Sequence, residues 1–172
     1  MTSALADVPA QPLPWLYSYR EDTQSTRLGK PILRPFVPSS LVHEDQSTSR
    51  LVGLIDTGAD AILASDLLTE SLGIDLSDNE GEADHVVGGR VLTARYKTIG
   101  LRLHPSDAEE GGYRQWHAQV GFVQDWHSDG FVLLGSVGFL DQFTATASRF
   151  AQAVAVESRD TFDERFGIVF DG

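Results

Sequence analysis

Leu51-Val52-Gly53-Leu54-Ile55-Asp56-Thr57-Gly58-Ala59-Asp60 sets an acid directly behind an apolar run. Leu51 to Ile55 reads as a buried strand, and such a strand draws the residue after it into the protein. A carboxylate at the end of a buried strand must be hydrogen-bonded, paired or protonated, because desolvating it alone is costly. Gly58 lets the backbone turn sharply and approach closely. The Thr57 hydroxyl can lock the loop. The same residues also fit a capped turn beneath a strand, so the stretch alone leaves two readings open.

Working outward, Trp15, Tyr17 and Tyr19 alternate with Leu16, Ser18 and Arg20, a strand signal. Residues 31–37 are apolar but broken by Pro31 and Pro35, which suits an edge strand. Residues 44–50 read as an exposed turn. Ser65 and Asp66 can open a helix carrying Leu67, Leu68 and Leu72, and Gly73 stands where a C-terminal cap belongs. Residues 74–85 form an acidic loop. Val86 to Leu103 is strand, Gly88-Gly89 turn and strand, with Ile99, Leu101 and Leu103 alternating with polar or small residues. Pro105 to Gly112 is a polar loop. Trp116, Ala118, Val120 and Phe122 mark another strand. Phe131-Val132-Leu133-Leu134-Gly135 echoes the run that ends at Gly58. A short helix is expected around Val137 to Phe143, and extended chain at Ala153–Val156 and Phe166–Phe170. About eight short strands and one or two helices, with turns at roughly ten-residue intervals, predict an all-β domain.

The 172 residues suit one domain, which should bury about 70% of the surface its unfolded chain exposes. Residues 1–13 are expected to be draped or disordered, 14–156 to form the domain, and 157–172 a C-terminal extension and candidate part of a subunit contact. Lys and Arg number 13 against 25 Asp and Glu, a net charge of −12. That balance argues against nucleic-acid partners and anionic membranes, since phosphate binding needs clustered cations. There is no Cys, which excludes disulfides, thiolate metal sites and cysteine nucleophiles. No secretory segment and no membrane-length apolar run is present, so a cytoplasmic location is expected.

The chain resembles the retropepsin-like aspartic proteases. Three motifs carry the resemblance, in the family's order: Asp56-Thr57-Gly58-Ala59 after an apolar strand, the Val86-Val87-Gly88-Gly89 hairpin in the place of the flap, and Phe131 to Gly135 followed by Phe139-Leu140. The resemblance covers residues 51–143. It implies a closed β-barrel with one or two short helices, and an aspartic endopeptidase that needs no cofactor or metal. With one Asp-Thr-Gly per chain, it further implies a homodimer in which two Asp56 carboxylates activate a water. Asp56, Thr57 and Gly58 would form the catalytic loop, Thr57 bonding across to the partner subunit. Ala59, Asp60, Val87, Gly88 and Gly89 would hold a peptide or protein substrate, the glycines moving as a lid. The alternative is an inactive dimer of the same fold that binds peptides or proteins. The chain departs from viral members in two places. Ser136 follows Gly135 where an Arg commonly pairs with the acid at the position of Asp60, and Ala61 stands where some members carry a second acid.

Other constellations argue for less. His43, His85, His104, His117 and His127 are scattered. Trp116-His117 and Trp126-His127, with Asp125 and Asp129 nearby, could face each other across a hairpin, but they lack the ligand spacing of a metal site. The acidic runs at 78–84 and 107–110 lack a calcium loop's spacing and read as solvated loops. Gly135-Ser136-Val137-Gly138 does not match a hydrolase nucleophile elbow, and no phosphate loop occurs.

Overall fold

A computed structural model describes residues 13–106, 112–126 and 131–167. Thirteen strands and two α-helices are found there: β1 (Trp15–Ser18), β2 (Arg20–Arg27), β3 (Lys30–Arg34), β4 (Phe36–His43), β5 (Gln46–Ser47), β6 (Leu51–Ile55), β7 (Ile62–Ser65), α1 (Leu67–Leu72), β8 (Glu82–Val87), β9 (Arg90–Leu103), β10 (Arg114–Val123), β11 (Phe131–Leu134), β12 (Phe143–Ser148), β13 (Ala153–Ser158) and α2 (Arg159–Phe166). The protein is all-β, as its alternating patterns predict.

The large sheet runs β5-β4-β6-β11-β7-β10-β9-β8, and a second pairing of β4 with β9 closes it. The closed part is a barrel of six strands, β4, β6, β11, β7, β10 and β9. Strand β4 makes closure possible by changing partners at Ser39. Phe36 to Ser39 pair with β6, and Ser39 to Val42 pair with Leu103 to Gly100 of β9. Strands β6 and β11 are parallel, with Leu54 opposite Leu133.

These central strands read as unbroken apolar runs because both of their faces are covered. Ile55, Ile62, Val132 and Leu134 point into the main core with Phe122 and Phe139. Leu54, Leu63 and Leu133 point the other way, into a second cluster with Leu92 and Ala94 of β9. Each fully buried side chain of this size contributes about 1.5–3 kcal/mol. The second cluster positions the site, because it forms the floor beneath the β8–β9 hairpin.

Two smaller sheets stand outside the barrel. Strand β13 pairs with both β1 and β12, so Trp15 lies opposite Val156 and the first strand is joined to the last. Strands β2 and β3 form a separate hairpin. Residues 31–37 are therefore divided between that hairpin and β4, with the break at Pro35.

Several sequence expectations need correction. Residues 137–143 form consecutive turns instead of a helix. The N–H of Val137 is taken by Asp60 O at 2.9 Å, and those of Leu140 and Asp141 bond five residues back, to Gly135 O and Ser136 O. Residues 74–85 contain a 3-10 turn at Leu76–Asp78 and the start of β8. Phe166 ends helix α2, which Ser158 caps by accepting from Thr161 N; Ile168 to Phe170 lie outside the described residues. Helix α1 begins at Leu67 after Asp66, whose side chain makes no cap bond, while Ser65 Oγ accepts from Leu67 N at 3.3 Å. Gly73 closes α1 in the left-handed conformation, as predicted. Among the described residues no helix is long and apolar enough to cross a membrane.

Candidate active site

Asp56 stands where β6 leaves the barrel. Its backbone N–H donates to Leu134 O of β11 at 3.1 Å, so the parallel pairing continues one residue past Ile55. The chain then reverses: Ala59 N donates to Asp56 O at 3.1 Å, and Gly58 N donates to Asp56 Oδ1 at 2.9 Å. The carboxylate is half-buried, with one oxygen bonded to the loop it opens. The burial predicted for this acid is thus partial, and a backbone N–H helps to satisfy it.

The second apolar-Gly run locks this loop. Ser136 N donates to Ala59 O at 2.8 Å, and Ala61 bridges to Val137. A Cβ on Gly135 would strike the carbonyl oxygens of Ala59 and Ala61, both backbone atoms, so only glycine fits. The sequence echo between residues 54–58 and 131–135 is therefore two adjacent strands and the interlocked turns behind them.

Asp56 opens onto a groove of about 620 Å³. Gly58, Ala59 and Asp60 line it from the same loop, and Val87 and Gly88 line it from the β8–β9 hairpin. Thr57 and Gly89 are exposed and do not line it. The hairpin turns at Gly88-Gly89 between the opposed Val87 and Arg90. Both glycines have positive φ, +59° and +79°, as a tight two-residue turn requires. Strand β8 is the outermost strand of its sheet, so its outer backbone edge is unpaired within that sheet. Asp84 to Gly88 all reach the groove along it.

Sequence reasoning missed several contributors, the polar ones foremost. His85, on β8, reaches the groove and hydrogen-bonds through Nε2 to the Tyr96 hydroxyl. Burial, and then the charge of Asp60, raise the Tyr96 hydroxyl above the ordinary phenol range, so it keeps its proton. Asp22, Ser25 and Arg34 arrive from the β2–β3 hairpin. There Asp22 Oδ2 accepts from Arg34 Nε at 2.7 Å, and its Oδ1 accepts from Ser25 N at 3.2 Å across a register shift. Arg149 Nη1 donates to Leu33 O at 2.9 Å and ties this hairpin to the β12–β13 turn. The signal available for His85 was its place immediately before the predicted flap motif. The polar sequence of β2 gave none.

Asp60 has no ion-pair partner among the described residues, in line with Ser136 standing after Gly135. Trp116 and Trp126 do not form the facing pair considered above. Trp116 packs on Phe139 and Phe143 and donates Nε1–H to Gly138 O at 2.7 Å. Trp126 packs on Phe131 in the second cluster. His127, Asp129 and residues 107–110 lie outside the described residues. Among the described residues no group of three or more His, Asp or Glu side chains is placed to hold a metal ion.

No family model matches this sequence, and no curated protein matches it. Among solved structures the chain is similar to a retropepsin-like aspartic protease from Rickettsia conorii. The TM-score is 0.47 at 9% identity, over 86% of this chain and 94% of that one.

Proposed function

We propose that the protein is an aspartic endopeptidase that works as a homodimer. The observation that carries this reading is the setting of Asp56: a half-buried carboxylate at the end of a core strand, locked by the Gly135 segment and opening onto a groove beneath a hairpin. The ordered motifs of the sequence support it.

In this reading the Asp56 carboxylates of two subunits meet across a two-fold axis and share one proton, since two like charges at short range do not both ionise. One takes a proton from water while the other gives a proton to the scissile carbonyl. The pair titrates as a unit. An extended peptide adds to the free edge of β8 by main-chain hydrogen bonds. Leu54, Leu63, Leu133 and Phe131 supply an apolar wall that favours hydrophobic side chains beside the cut bond.

The test is digestion of a peptide library by wild type and Asp56→Asn from acidic to neutral pH. Wild type should cleave, and the variant should lose at least about a hundredfold in rate, the scale of a lost general acid-base group. Equal cleavage by both proteins would end the assignment. Peptide binding without cleavage by wild type would favour the binding-module alternative.

A further inference from the structure

The peptide reading of the groove leaves one polar side chain on the inner face of the hairpin without a role. His85 is half-buried and lies opposite Leu92 in the β8–β9 ladder. It shares a face with Val87, Leu92, Ala94 and Tyr96, which touch or belong to the second apolar cluster, and with the exposed Arg90 opposite Val87 at the turn. A half-buried imidazole that packs beside this cluster at a groove wall needs its nitrogens satisfied. Nε2 is satisfied by the Tyr96 hydroxyl, and the rings lie tilted with centroids 6.1 Å apart. Nδ1 has no partner among the described residues.

From this geometry we propose that His85 is the hairpin's side-chain contact to a bound peptide, with Tyr96 as the positioning residue that fixes its ring. The hydrogen-bond partner of the Tyr96 hydroxyl is His85 Nε2. With the hydroxyl taken as donor and Nε2 as acceptor, Nδ1 carries the ring proton of the neutral imidazole. The Nδ1–H then serves as a donor at the wall where β8 presents its unpaired edge. A main-chain carbonyl of an extended peptide is the acceptor that such a strand brings with it. Main-chain bonds to β8 give register along the strand, and the His85 bond adds a contact from the ring face. This assignment rests on the peptide-binding reading of the groove and adds a specific residue to it.

The experiment uses the full chain carrying Asp56→Asn, with imidazole nitrogens labelled and a random decapeptide mixture as probe. In the free protein the His85 nitrogen signals should report the Nδ1–H tautomer, and Tyr96→Phe should abolish that preference. Adding the decapeptides should move the His85 Nδ1 signal. His85→Phe, which keeps ring area, should weaken peptide binding about 2- to 10-fold, the range of one neutral hydrogen bond. In the active protein the same variant and Tyr96→Phe should raise KM by that factor and change kcat less than about twofold. If His85→Phe does not fold, Tyr96→Phe carries the binding test. Peptide binding that leaves the His85 signals and the affinities unchanged would overturn the proposal while leaving the groove reading intact. Absence of any peptide binding would overturn both.

Discussion

The surroundings of His104 set its charge state in the range where proteins are handled. Its Nε2 lies 2.9 Å from Ser40 Oγ, its ring meets Tyr113 edge-on, and its carbonyl accepts from the Tyr17 hydroxyl at 2.8 Å. Burial, and then the charges of Arg50 and Arg102, lower its pKa from 6.5 to about 4. The folded protein therefore holds His104 neutral where the unfolded chain binds a proton. Stability from this group is complete above about pH 6.5 and is lost as pH falls through about 4. The linkage is worth at most about 3 kcal/mol, and solvent screening of a half-buried ring lowers it to about 1–2 kcal/mol. His104→Gln should flatten the dependence of the denaturant midpoint on pH between 7 and 4. An unchanged slope would show that other groups govern acid unfolding. This matters for any acidic assay of Asp56, because lost cleavage at low pH must be separated from lost fold.

At the scale of elements, helix α2 is held to the sheet by one buried acid. Glu157 on β13 is 1% exposed, and its Oε1 lies 2.7 Å from Arg165 Nη2 of α2. That oxygen has no well-aligned hydrogen bond, so the contact is an ion pair off the ideal donor line. Arg165 also lies 4.5 Å from the centre of the Phe166 ring. Removing the cation strands a buried carboxylate, which costs more than the pair itself contributes. Arg165→Ala should destabilise the protein by about 1–3 kcal/mol, the low end reflecting the half-exposed guanidinium. The double variant with Glu157→Gln should recover part of the loss in thermal unfolding. Full additivity of the two losses would exclude the coupling. The same element shows why α2 escaped sequence reading. Phe166 looked like the start of an apolar strand, whereas Phe162 and Phe166 lie one helical turn apart in sequence and pack with tilted rings, centroids 4.6 Å apart.

For the whole molecule, the proposed reaction needs a second copy, since one chain brings one Asp-Thr-Gly. The first strand is already engaged in its own chain by β13, which restricts how the termini can take part in a subunit contact. The edges β1 and β12 remain at the two sides of that small sheet. Sedimentation at the concentrations used for cleavage should find a dimer, and activity should fall on dilution below its dissociation constant. A strictly monomeric species that still cleaves would refute the shared carboxylate pair. With a net charge of −12, self-repulsion opposes assembly, so raising salt toward 0.5 M should favour the dimer.

The sequence by itself determined the features that local chemistry controls. Alternation along Trp15–Ser18 and Thr98–Leu103 reports strands because one face must leave water, and Gly88-Gly89 reports a two-residue turn because both positions need positive φ. It also marked Asp56, since an acid behind an apolar run is costly unless the fold uses it. Only the tertiary structure decided which strands meet. The change of partner by β4 at Ser39, the union of β1 with β13 and the arrival of Asp22 and Arg34 at the groove join residues far apart in the chain. Residues 137–143 form turns for a related reason: the Val137 N–H is taken by Asp60 O of the distant Asp56 loop, and the Leu140 and Asp141 N–H groups reach five residues back to Gly135 O and Ser136 O.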